Sequence, residues 1–128
     1  MPRYAPGGVI TPADYREAQA KAMTEDQLLR AVRSHASQLG WRTMHQLHSR
    51  GTEPGWPDLV LVRKGRLLIR ELKTIRGRLT PTQVGWLNDL TAAGVDAGVW
   101  RPDQLLSGQI LNELTTTKVT HSEPRRTP

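Results

Sequence analysis

The sequence predicts an α/β sandwich around a mixed β-sheet, and three observations carry that prediction. Segments of helical period alternate with short apolar runs of strand length along most of the chain. Two of those runs, Leu59-Val60-Leu61-Val62 and Leu67-Leu68-Ile69, flank a Lys64-Gly65 turn signal and make a hairpin. A helix beginning at Thr80-Pro81 then separates the hairpin from one more short strand, and a last helix follows.

The elements follow in order. Residues 1–23 read as an arm, because Pro2, Pro6, Gly7 and Gly8 discourage regular structure. Thr11-Pro12 can open a short polar helix over 13–23, with too few apolar residues to join a core. A firmer helix starts at Thr24, where Thr caps and Glu25 and Asp26 occupy the first turn. Leu28, Leu29, Val32 and Ala36 give its apolar face, and Gly40 stops it. A strand is expected over 41–47 and a loop, rich in Gly and Pro, over 49–57. After the hairpin comes a loop over 75–79 with Gly77 between Arg76 and Arg78. Thr80-Pro81-Thr82-Gln83 carries a cap, a first-position proline and a capping-box glutamine. Val84, Leu87, Leu90 and Thr91 form the expected inner face of that helix, flanked by Trp86, and Gly94 ends it. A strand over 95–100 and a last helix over 103–114 complete the domain, taken as residues 24–114. The Thr-rich, then basic, stretch 115–128 reads as a disordered tail.

Bulk properties narrow the function. A chain of 128 residues supports one compact domain. Its net charge of +6 and pI near 10.5 point to a polyanionic partner, nucleic acid before membrane. The absence of cysteine excludes disulfides, thiol catalysis and thiolate zinc sites. No apolar run has the length of a membrane span, and the N-terminus lacks the apolar stretch of a signal peptide, so the expected location is the cytoplasm.

The chemistry gathers on the hairpin. Asp58 stands at the mouth of the first strand, after Pro57, while Glu71 and Lys73 lie two apart on the second and share a face. They read either as solvated strand-end groups with a modest surface ion pair, or as two carboxylates for a hard divalent cation with a lysine beside it. The second reading has a chemical logic: Mg2+ takes oxygen ligands and keeps several waters, and a neighbouring lysine can orient the attacking water and stabilise charge on a phosphate. Between Asp58 and Arg78 no acid other than these two occurs, whereas Arg63, Lys64, Arg66, Arg70, Lys73, Arg76 and Arg78 do, which reads as a metal site on a phosphate-binding surface. His35 and His45 lack zinc-site spacing and read as structural or phosphate-contacting, and Trp41, Trp86 and Trp100 as core.

Three segments in this order, Gly55-Trp56-Pro57-Asp58-Leu59, Arg70-Glu71-Leu72-Lys73 and Leu79-Thr80-Pro81-Thr82-Gln83-Val84-Gly85-Trp86-Leu87, resemble the VRR-NUC (virus-type replication-repair nuclease) family of the PD-(D/E)xK nuclease superfamily, over about residues 24–100. The resemblance implies a restriction-endonuclease-like sandwich and a Mg2+- or Mn2+-dependent DNA endonuclease. It implies that Asp58 and Glu71 bind metal with the Leu72 carbonyl, that Lys73 is the catalytic lysine, and that Gln83 stands near the active site. It also implies that Glu25 completes the metal set; a plain first-turn acid is the other reading of Glu25, and a capping residue that of Gln83. Arg76 and Arg78 read either as clamps on the DNA backbone or as part of a solvated loop, with His48, Arg50 and Trp56 as further candidate DNA contacts. Small stand-alone members imply branched or junction DNA as substrate, a phage or bacterial repair, recombination or replication role, and a homodimer. A non-catalytic nucleic-acid-binding module of the same fold is the alternative, and a sequence-specific restriction-like enzyme is disfavoured by the lack of a recognition domain.

Overall fold

The structure, a computed structural model, describes residues 4–5, 8–46 and 53–116. The elements run β1 (Tyr4–Ala5), β2 (Val9–Ile10), α1 (Pro12–Ala22), α2 (Glu25–Gln38), β3 (Arg42–His45), β4 (Leu59–Arg63), β5 (Arg66–Leu72), α3 (Pro81–Ala92), β6 (Asp96–Trp100), α4 (Pro102–Leu106) and α5 (Gln109–Thr115). The expected α/β sandwich is present. Its mixed sheet has the order β3-β4-β5-β6, antiparallel except for the parallel pair β5/β6. Helix α3 makes the crossover that a parallel pair requires.

Side-chain alternation divides the sheet into two faces. Leu59, Leu61, Leu68, Leu72 and Trp100 turn to one side and close over Leu28, Val32 and Ala36 of α2 and Ile110 and Leu114 of α5. Burying each such leucine stabilises the fold by about 2 kcal/mol. Ile69 and Glu71 turn to the other side, toward α3. That face is thinly covered: Met44, Val62 and Leu67 remain 56, 44 and 43% exposed.

Four expectations need correction. The inner face foreseen for α3 shrinks to Leu87, since Val84 and Thr91 are exposed and Leu90 is only half-buried; the helix touches mainly β6 and so offers the sheet a narrow stripe. The helix foreseen over 103–114 is two helices, because Gly108 adopts φ +90 and turns the chain between α4 and α5. The arm is not devoid of structure: Tyr4 pairs with Ile10 in a two-residue ribbon, and α1 packs against α4 with Ala20 buried. Thr11 caps α1 as its sequence foretold.

The fourth correction concerns charge. Arg63, Arg66 and Arg70 do not belong to a phosphate-binding surface. Arg66 Nη1 donates to the carbonyls of Glu113 (2.8 Å) and Thr116 (2.7 Å), and Arg63 Nη1 to that of Leu114 (3.1 Å). Both guanidinium groups lie over the Trp41 ring, whose Nε1 donates to the same Leu114 carbonyl. They satisfy the open carbonyl end of α5 and complement its dipole. Arg70 turns to the core face, where Nη2 meets Asp96 at 2.9 Å and Glu113 at 3.1 Å and the guanidinium sits 4.8 Å from the Trp100 ring centre.

Candidate active site

The hairpin register creates the site. Leu59 pairs with Arg70, so the next positions outward, Asp58 and Glu71, come side by side on the α3 face. Pro57 is fully buried and fixes the entry to β4, while the Asp58 carbonyl accepts from Gln46 N at 2.9 Å. Asp58 Oδ2 in turn accepts from Leu72 N at 2.9 Å, which ties the carboxylate to the end of β5.

Glu71 is 3% exposed. Its Oε2 accepts from Gln83 Nε2 at 2.9 Å and lies 3.7 Å from Lys73 Nζ. Both readings of Gln83 hold together: its Oε1 accepts from Thr80 N at 2.9 Å and closes the capping box, while its amide nitrogen serves Glu71. The first turn of α3 is set in place by the preceding loop. Gly55, at φ +86, runs so close to Thr82 that a Cβ there would fall 2.6 Å from the Thr82 carbonyl carbon. Trp56 meets Trp86 edge-on at 5.0 Å, and Trp86 Nε1 donates to the Pro54 carbonyl at 3.2 Å. Trp56, expected to touch substrate, therefore also anchors this loop.

The electrostatics are those of a crowded carboxylate pair. Burial, followed by the charge of Asp58, pushes Glu71 from 4.5 up to about 8; Lys73 opposes the rise, and Glu25 adds to it. Glu25 is exposed on the first turn of α2 and borders, with Asp26, Leu29, His45, Asp58 and Leu72, a groove of about 190 Å³. Two carboxylates held together in this way are a donor set for a hard divalent cation, whose charge relieves their repulsion, and Asp58 and Glu71 fit that role. Among the described residues, no three His or acidic side chains already stand close enough to share an ion, so Glu25 is near the pair without forming a ready-made triad.

Arg76 and Arg78 are exposed on the loop that leaves Lys73. His48 and Arg50 lie outside the described residues. The sequence reading missed Asp26 and His45 as groove-lining groups, although Asp26 follows Glu25 and His45 closes β3 beside Asp58. It missed Arg101 altogether, for the partners of Arg101 are carbonyls more than twenty residues away.

The VRR-NUC domain model matches residues 11–104. The chain belongs to the VRR-NUC domain family. The match reaches further toward the N-terminus than the motifs alone, and takes in α1 together with the whole sheet. The VRR-NUC domain accounts for the restriction-endonuclease-like sandwich and supports a nuclease-type function, with DNA as the substrate that function implies. Comparison with curated proteins and with solved structures finds no match. No helix among the described residues is long and apolar enough to cross a membrane.

Proposed function

We propose that this VRR-NUC domain is a Mg2+- or Mn2+-dependent DNA endonuclease, selective for branched or junction DNA and serving phage or bacterial DNA repair, recombination or replication. The observation that carries the reading is Glu71: a nearly fully buried acid beside Asp58, hydrogen-bonded by the Gln83 amide and 3.7 Å from the Lys73 ammonium. A strand residue kept for stability alone would not be an acid in this place, because ionising it in a buried setting beside Asp58 is costly.

Asp58, Glu71 and the Leu72 carbonyl would hold the ion, and Glu25 would complete the set from α2. When bound, the ion supplies Lewis-acid activation of water and neutralises charge building on the phosphate. Lys73 Nζ holds the attacking water by hydrogen bonding and stabilises the developing negative charge. Gln83 keeps Glu71 Oε2 in place through its amide, so the carboxylate is oriented before substrate arrives. Arg76 and Arg78, with Arg50 and His48, grip the backbone, and Trp56 lies beside the scissile strand. Two copies of a domain this small, as a homodimer, place two sites on one junction.

The test is cleavage of branched, flapped and linear DNA by purified protein with Mg2+ or Mn2+, alongside Asp58→Ala and Lys73→Ala. Both variants should lose cleavage while keeping the fold, and Glu71→Ala should lose divalent-metal binding in calorimetry. Wild-type protein that binds DNA but takes up no metal and cuts nothing would identify the non-catalytic module instead.

A further inference from the structure

The turn after β5 is held by one side chain from elsewhere in the fold. Arg101, half-buried between β6 and α4, points Nη1 into the turn and donates to the carbonyls of Thr74 (2.7 Å) and Gly77 (2.7 Å), with Ile75 at 3.4 Å. Gly77 N also donates to the Thr74 carbonyl at 3.2 Å, so the turn is closed from inside as well. The turn presses on the stem of Lys73: a Cβ at Gly77 would meet Thr74 Oγ1 at 3.0 Å and Lys73 Cδ at 3.3 Å. Just before it, Lys73 N donates to the Trp100 carbonyl at 3.1 Å, which docks the same stretch on β6. Arg76 and Arg78 emerge exposed from this frame.

We propose that Arg101 is a positioning residue for DNA binding and cleavage: its guanidinium gathers the carbonyls of the 74–77 turn and thereby aims Arg76 and Arg78 at the DNA backbone while confining Lys73. Nη1 carries two hydrogens, and the Thr74 and Gly77 carbonyls take both, which ties Arg101 to the loop; the triple variant below separates that role from any direct contact of Nε or Nη2 with phosphate. Charge-assisted hydrogen bonds of this length are strong enough to hold a short loop in one shape. The inference rests on the reading of Arg76 and Arg78 as phosphate contacts, and the experiment separates the two.

Binding of a short fluorescently labelled DNA duplex is measured against salt, with Ca2+ replacing Mg2+, for wild type, R76A/R78A, R101M and R76A/R78A/R101M. Each phosphate contact contributes about 0.9 to the salt slope. R76A/R78A should lower the slope by about 2. R101M should lower it by about 1 or more without touching DNA itself, and the triple variant should match R76A/R78A. R101M should also lower kcat with Mg2+, through Lys73, with metal affinity unchanged. R101Q, which retains a donor, keeps the test open if R101M does not fold, and should fall between R101M and wild type in slope. An unchanged slope in R76A/R78A overturns the clamp reading and the inference with it. A lowered slope there with a wild-type slope and kcat in R101M overturns the inference alone, as does a triple variant whose slope falls below that of R76A/R78A by a further contact.

Discussion

The two ends of the β4–β5 hairpin use the same residue types to opposite effect. At the turn end, Arg63 and Arg66 are turned inward: the carbonyls of Glu113, Leu114 and Thr116 accept from their Nη1 atoms, and the Trp41 face takes up their charge. At the open end, Asp58 and Glu71 crowd each other, Lys73 stands 3.7 Å from Glu71, and Arg76 and Arg78 face solvent. Charge at the turn end closes a helix and stabilises the fold, whereas at the open end ionising Glu71 in its buried place beside Asp58 is costly, and the group keeps its proton up to about pH 8. The contrast teaches that basic residues on one hairpin need not serve one surface. Their partners, which sequence proximity does not reveal, decide.

Substitutions at the two ends should therefore separate stability from activity. The largest effect is at the open end: Lys73→Ala should slow Mg2+-dependent cleavage about 10³-fold, near 4 kcal/mol of barrier, with an unchanged melting temperature. Next is the pH response of metal-free protein. Between pH 4.5 and about 8 the folded state keeps a proton on Glu71 that the unfolded chain releases, so stability is full below pH 4.5 and falls as pH rises through about 8. Thermal melts in chelator should show that decline, and Glu71→Gln should flatten it; an equal decline in the variant would place the strain elsewhere. Third, Arg70→Met should cost about 3 kcal/mol in denaturant unfolding, since it removes the cation that Asp96 and Glu113 share and leaves Glu113 only its Trp100 and Gln109 donors, yet leave the cleavage rate per folded molecule intact. Smallest, Arg66→Ala should cost about 2 kcal/mol through the freed carbonyls of Glu113 and Thr116. Any loss of DNA affinity in Arg66→Ala would break the division between the two ends.

Most of the frame was legible because it is written locally. Alternation and the Lys64-Gly65 turn mark the hairpin, and the Thr24 and Thr80 capping boxes mark the starts of α2 and α3. The placement of Asp58, Glu71, Lys73 and Gln83 was legible for the same reason: each lies at or near the end of an element that a short motif announces. What was not legible depends on long-range contact. The inward turn of Arg63, Arg66 and Arg70 requires knowing that α5 ends over Trp41 and that Glu113 reaches Trp100. Arg101 requires knowing that β6 lies beside β5. The break at Ser107-Gly108 was a local signal, overridden by apolar spacing on both sides of it.

Gln83 joins two events in time. One amide closes the first turn of α3 and holds Glu71, so that turn cannot fray without releasing the carboxylate. The opening of α3 at its start then also releases Glu71, and the exchange rate of the Thr80 and Gln83 amide hydrogens becomes a clock for how long Glu71 stays held.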